Sequence, residues 1–182
     1  TLPTDADRLI LHALADGRGE EEHRGEGLQH QDGRVQIEAV TVARSAGGKV
    51  APAVLRWALQ QGSAQAQLAA VQHLGELARP DAVDELLELL NRSSFVEVQR
   101  ECCLAIGKLG RTAGEKVVPA MTNVLRAGGL LTSGYPEDVR AAAAWALGQT
   151  KTADARKALE KALDDKNPRV RLTAKLALEG KA

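Results

Sequence analysis

One helical pattern, about 31 to 32 residues long, recurs five times along this chain, with starts at Val35, Ala66, Val98, Val139 and Val170. A sequence of this kind folds by laying each unit on the next, because a single helical hairpin cannot cover its own apolar face. Four residues after the starts stand Ala39, Ala70, Cys102, Ala143 and Ala174, and eight after them Ala43, Leu74, Ile106, Leu147 and Leu178. Every one of these side chains is small or aliphatic. Nine residues on, three copies have Gly75, Gly107 and Gly148, and the other two Arg44 and Glu179. The glycines are read as helix ends in the left-handed conformation, which a side chain disfavours. Successive starts lie 31, 32, 41 and 31 residues apart, so the junction between Ala127 and Asp138 carries an insertion of about nine to ten residues.

A second apolar run follows each of the first four starts. The runs are Val50, Ala53, Val54 and Trp57; Val83, Leu86, Leu87 and Leu90; Val117, Ala120, Met121 and Val124; and Ala155, Ala158, Leu159 and Ala162. Each has the 0, 3, 4, 7 spacing of one helix face. Pro80, Pro136 and Pro168 fall where a first helical residue has no use for an amide proton, and Thr152 and Asn167 are placed to cap. No strand pattern competes. The expected fold is all-α, a right-handed solenoid of antiparallel helix pairs.

The whole chain, 1–182, reads as one repeat domain. Residues 1–16 are a half-repeat helix, from Thr4 as cap through Leu9, Ile10, Leu11 and Leu14, and 17–33 a glycine-rich acidic loop. Repeats follow at 34–62, 63–94, 95–127 and 138–166, with an inserted loop at 128–137 and a terminal half-repeat at 167–182. Half-repeats at both ends suggest a piece of a longer protein, or two capping helices.

Aromatic residues make up 2% of the chain, so alanine fills the seams between helices and the helices pack closely. The 24 basic and 24 acidic residues cancel, which argues against wholesale binding to nucleic acid or an anionic membrane. Charge is nonetheless uneven. Asp81, Asp84, Glu85 and Glu88 crowd one second helix, whereas from Lys151 onward nine Lys and Arg stand against five Asp and Glu. The two cysteines, Cys102 and Cys103, are adjacent on a helix, a geometry unsuited to a mutual disulfide. They occupy columns held elsewhere by alanine and valine, so they read as core thiols in a reducing, cytoplasmic setting. No apolar run is long enough to cross a bilayer.

The Val139-Arg140 and Val170-Arg171 pairs, and Ala146-Leu147-Gly148 within the stretch from Pro136 to Leu178, resemble the HEAT family, in particular the bacterial HEAT-like repeats of the phycobilin-lyase type. The likeness extends over about residues 34–180. In that family the arginine takes part in a polar ladder with acidic residues of adjacent repeats. Gln36, Gln67 and Gln99 stand in its place in the first half of this chain, so the resemblance implies the ladder for Arg140 and Arg171 only. The family includes scaffolds, transport factors, lyases and enzymes, and the fold does not choose among them.

His73 and Glu76, three apart on one helix, have a spacing that can share a metal, and HEAT-like metal hydroxylases use several such pairs. No other copy supplies one, and the column of His73 holds Val42, Ala105, Ala146 and Ala177, so His73 is expected in the core. Glu20, Glu21, Glu22, His23 and His30 match no metal motif. No nucleophile, base and orienting group fall together, and no cofactor is expected. Trp57 aligns with core positions. Trp145 stands in a mixed column of Thr41, Gln72, Leu104 and Leu176, at the border of packed and wet surface where tryptophan anchors partners. In the insertion, Leu130, Leu131 and Tyr135 need either a surface to cover or a partner.

The expected function is non-catalytic protein–protein interaction. Its surface joins the rim formed by the two long loops, 17–33 and 127–138 with Leu130, Leu131 and Tyr135, to the ridge of second helices, acidic at Asp84 and Glu88 and basic at Arg156, Lys157 and Lys161, with Trp145 as a further anchor. Two alternatives remain open: a bilin lyase or lyase subunit, on resemblance alone, and a nucleic-acid-binding array along the basic C-terminal copies.

Overall fold

The computed structural model describes residues 33–46, 50–113, 116–126 and 134–181. The expected helix at Thr4 to Ala15, the acidic loop before Gly33, and Leu130 and Leu131 lie outside them. Among the described residues the fold is all-α, with helices α1 (Gly33–Ala46), α2 (Val50–Gln61), α3 (Ala64–Leu77), α4 (Val83–Arg92), α5 (Val96–Leu109), α6 (Val117–Arg126), α7 (Glu137–Thr150), α8 (Ala153–Ala162) and α9 (Pro168–Leu178). Short 3-10 turns at Pro80–Ala82 and Gly110–Ala113 precede α4 and follow α5. The first helices α3, α5 and α7 have 14 residues each, and the second helices α4, α6 and α8 have 10. That regularity is the repeat in three dimensions.

The chain divides into two compact units, Thr1–His73 and Leu74–Ala182. In the first, α1 packs on α2, and Gln36 Oε1 accepts the amide of Ser63 at 2.9 Å. The buried stripe of α2 includes Val54, Leu55, Ala58 and Leu59. Trp57, expected in the core, is only half-buried, because it lies on the edge of that stripe.

In the second unit α7 packs against α5 on one flank and α9 on the other, and also touches α6 and α8. Successive second helices α6 and α8 lie side by side. This is the nearest-neighbour stacking of a helical solenoid. Val98, Val139, Val170, Cys102, Ala143, Ala174, Ile106 and Leu147 are all buried to 1% exposure or less, as their columns require. Ala141 to Ala144 are buried as well. These alanines let the four neighbouring helices come close to α7. The buried faces of the second helices extend beyond the expected runs by Leu89 and Leu125, while Leu87 and Ala120 are half-exposed.

The glycine column is placed differently from expectation. Gly75, Gly107 and Gly148 lie inside α3, α5 and α7, and none has a positive φ. Each instead meets the alanine seven residues into the next copy. A Cβ on Gly75 would stand 3.0 Å from the Cα of Ala105, one on Gly107 would stand 2.9 Å from the Cα of Ala146, and one on Gly148 would stand 2.7 Å from the Cβ of Ala177. These glycines are contact points where one first helix touches the next. The left-handed residues come three positions later, at Ala78 (φ 47°), Gly110 (φ 54°) and Lys151 (φ 54°). The glycine column therefore reports helix-to-helix distance, not helix termination.

The capping expectations hold at two helices. Thr152 accepts the amide of Ala155 at 3.2 Å, and Asn167 Oδ1 accepts those of Arg169 at 2.9 Å and Val170 at 3.4 Å. Pro168 is the first residue of α9 and Pro80 opens its 3-10 turn, but Pro136 sits one place earlier, as the N-cap of α7.

Candidate interaction surface

Electrostatics sorts the charged residues singled out in the sequence into those already neutralised and those that are not. On α4, Asp84 receives Lys116 Nζ at 2.9 and 3.0 Å, and Glu88 receives Arg92 at 3.3 Å. Just ahead of α4, Arg79 grips Asp81 with two bonds and holds its carboxyl below the usual range. The acidic ridge is thus largely matched within the chain. On α8, Arg156 pairs with Glu160 and Lys157 with Asp154, each at 3.2 Å. Lys161, Arg126 and Lys166 make no ion pair among the described residues.

Those three cations line an open groove between α6 and α8. Its upper part, about 670 Å³, has Val118, Thr122 and Asn123 on one wall and Lys157, Ala158 and Lys161 on the other. The spacing explains the walls: Val118, Thr122 and Arg126 recur every four residues on α6, and Lys157 and Lys161 do so on α8. The groove continues past Arg126 and Lys161 to Asp164, Asp165 and Lys166. Arg156, grouped with Lys157 and Lys161 from the sequence, lies on the other side of α8, beside Leu147 and Leu178.

The floor of the lower groove is fixed by a buried ion pair. Arg140, on α7, donates through Nε to the carbonyl of Leu125 at 3.1 Å and through Nη2 to Asp165 Oδ2. Asp165 Oδ1 accepts the amide of Asn167 at 2.9 Å. Both side chains are close to nine-tenths buried, so the pair is held in one geometry. In the next copy Arg171 donates to the carbonyls of Asp165 and Lys166 at 2.7 and 3.0 Å. Where glutamine replaces the arginine, the bonds go to backbone: Gln99 Nε2 reaches the Ser93 carbonyl at 2.6 Å. The implied ladder to acidic residues of adjacent repeats is not what these bonds form: Arg140 meets a carboxylate of its own repeat, and Arg171, like Gln99, reaches backbone carbonyls of the repeat before it.

Trp145 is half-exposed, and its ring lies on Gly107, whose Cβ would stand 2.4 Å from a ring carbon. Much of its apolar surface is therefore spent between α5 and α7. Tyr135 is half-buried and donates its hydroxyl to Asn91 Oδ1 at 3.1 Å, tying the segment before α7 back to α4. Burial first, then Cys103 and Cys102, raise its pKa above 10.0. Asp84 and Glu88 belong to α4, outside the groove, so the structure gathers Lys157 and Lys161 but neither acidic residue with them. His73 is buried and Glu76 exposed. No three potential metal ligands cluster among the described residues. Both cysteines are buried free thiols, and burial pushes Cys103 up to about 12 and Cys102 higher still. Thiols held neutral in this way are poor nucleophiles.

Sequence reasoning missed Arg126, Lys166 and the Arg140–Asp165 pair as parts of one site. Lys157 and Lys161 carry a visible signal in their spacing. Arg126 and Lys166 end or follow different helices, and only stacking brings them together.

Residues 51–129 and 129–180 match the profile of the family described as HEAT repeats. No curated protein sequence matches the chain. Among solved structures, a crystal structure of an engineered protein is similar at TM-score 0.58 and 21% identity, covering 97% of this chain and 90% of that one. A second engineered protein is similar at TM-score 0.53 and 19% identity, with 97% and 89% covered. These likenesses bear on the fold alone. Human deoxyhypusine hydroxylase in complex with glycerol follows at TM-score 0.41 and 15% identity, covering 100% of this chain and 91% of that one.

Proposed function

Because the chain belongs to the HEAT-repeat family, we propose that it is a non-catalytic protein-interaction scaffold, working in a reducing, cytoplasmic setting of a bacterial cell. The observation that carries this reading is the open groove between α6 and α8, a solvated surface held from beneath by the buried Arg140–Asp165 pair. A rigid floor under a polar, accessible wall suits recognition of another chain, since little ordering is needed on the scaffold's side. The proposed surface has the groove at its centre, with Lys157 and Lys161, and takes in Trp145 and Tyr135 together with Leu130 and Leu131, which lie outside the described residues. Asp84, Glu88 and Arg156 form its outer, self-paired fringe, where exposed ion pairs are weak enough to exchange partners.

The test is cross-linking capture in the source cell with the full chain as bait, wild type against a Lys157→Glu/Lys161→Glu variant whose helicity is unchanged. Enrichment of a defined partner by the wild type and its loss in the variant support the scaffold reading. Equal capture by both removes this surface. A bait that acquires visible tetrapyrrole absorbance, or whose captured material is nuclease-sensitive, would move the function to a lyase or to nucleic-acid binding.

A further inference from the structure

The groove has a charge and a shape that specify the chemistry of its occupant. Around it stand five cations, Arg126, Arg140, Lys157, Lys161 and Lys166, against three carboxylates, Asp154, Asp164 and Asp165. Two of the carboxylates are committed, Asp154 to Lys157 and Asp165 to Arg140. What remains is Arg126, Lys161 and Lys166 facing Asp164 alone, a surplus of two positive charges over one short cleft. The three cations come from the end of α6, the last turn of α8 and the turn before α9.

The walls are ten-residue helices, each about 15 Å long at 1.5 Å per residue. Neighbouring helix axes lie roughly 8–10 Å apart, so the cleft between them takes one extended strand. At about 3.3 Å per residue it holds four to five residues of that strand. Thr122 and Asn123 supply a hydroxyl and an amide for an extended backbone, and Val118 and Ala158 supply apolar contact. Single-stranded nucleic acid binds by stacking bases on aromatic rings beside a basic track. The residues lining this groove include no aromatic side chain on which a base could stack.

We propose that the α6–α8 groove binds an extended acidic peptide, a run of about four to five residues rich in Asp and Glu on a partner protein. The inference rests on the scaffold reading and makes its partner chemically specific. The groove reads carboxylates with Arg126, Lys161 and Lys166, at a site whose floor is already set before the peptide arrives.

The experiment is fluorescence anisotropy of the full chain with labelled ten-residue peptides. The probes are one rich in Asp and Glu, its Asn and Gln counterpart, a Lys-rich one, and a single-stranded oligonucleotide of matched charge. The acidic peptide is expected to bind at least tenfold tighter than the amide counterpart, and to weaken as salt rises. A Lys161→Glu/Lys166→Glu variant, with circular dichroism and melting unchanged, is expected to lose about tenfold in affinity for it. A Lys151→Glu control, outside the groove, is expected to lose less than twofold. Charge-blind binding, equal or tighter binding of the oligonucleotide, or equal losses in groove and control variants would each overturn the proposal. So would no binding of the acidic peptide at millimolar chain. Failure there, with partner capture still lost in the Lys157→Glu/Lys161→Glu bait, would sink the acidic ligand and leave the scaffold. Loss of the capture result alone would do the reverse.

Discussion

At the scale of single residues, the closest constraint is Gly107 beneath the Trp145 ring. A methyl group there would stand 2.4 and 2.8 Å from two ring carbons and 2.9 Å from the Cα of Ala146. The ring cannot retreat by rotating a flexible tip, and the Cα belongs to the backbone of α7. Gly107→Ala should gain about 1 kcal/mol in helix propensity and lose more to overpacking. A net destabilisation of roughly 2 kcal/mol is expected by chemical denaturation. Removing the ring should relieve part of that clash, so Gly107→Ala and Trp145→Ala together should cost less than the sum of each alone. Strict additivity would show that ring and glycine do not touch in solution. The opposite case is Lys151, which holds φ 54° and ψ 30° at the end of α7 without being glycine. Lys151→Gly should therefore stabilise by about 1 kcal/mol. A differential scan should show a rise in Tm of a few degrees.

At the scale of elements, the Arg140–Asp165 pair ties the start of the fourth copy to its end, while Arg140 Nε also reaches Leu125 of the third. The two partners are not equivalent. Deleting Asp165 strands a buried guanidinium and also frees the Asn167 amide, whereas deleting Arg140 leaves a carboxylate that still accepts that amide. Asp165→Ala is expected to cost about 3 kcal/mol. Arg140→Gln should cost clearly less, because Gln36 and Gln99 at the same register already bond to backbone of a neighbouring copy. Urea titration of both variants checks the order, and a larger loss for Arg140→Gln would refute it. The elements themselves were legible in the sequence. The columns led by Val98, Val139 and Val170, the second helices and the caps at Thr152 and Asn167 all follow from periodicity and side-chain chemistry. What was misread is instructive. The glycine column was assigned to helix ends because glycine tolerates positive φ, yet it serves a contact with the following copy. A one-dimensional pattern marks where a side chain is absent without saying which neighbour needs the space. The groove was half legible for the same reason: Lys157 and Lys161 share a helix face, but Arg126 and Lys166 join them only through stacking.

At the scale of the whole molecule, the buried thiols link stability to alkaline pH. Cys102 and Cys103 lie in the seam of α5, and burial raises both above the ordinary thiol value of 9.0, Cys103 to about 12. In the unfolded chain they titrate near the ordinary value, so above it the unfolded state sheds protons that the folded state retains. Stability from this source is intact below pH 9 and falls as pH rises toward 12. The slope is about 1.4 kcal/mol per pH unit for each thiol. The repeat columns offer a control that keeps the packing: Ala39, Ala70 and Ala143 occupy the register of Cys102, and Val40 and Val71 that of Cys103. A Cys102→Ala/Cys103→Val chain should match the wild type near pH 7 within about 1 kcal/mol. It should then outlast the wild type increasingly from pH 9 to 11. Because the two thiols also raise the Tyr135 hydroxyl, both chains carry Tyr135→Phe, and the difference between their curves then isolates the thiols. Denaturant midpoints at each pH give that difference, and parallel curves would mean that the thiols reach water in the folded state. The same burial predicts that an aromatic disulfide reagent at neutral pH labels neither cysteine until the array opens, at a rate set by unfolding and independent of reagent concentration.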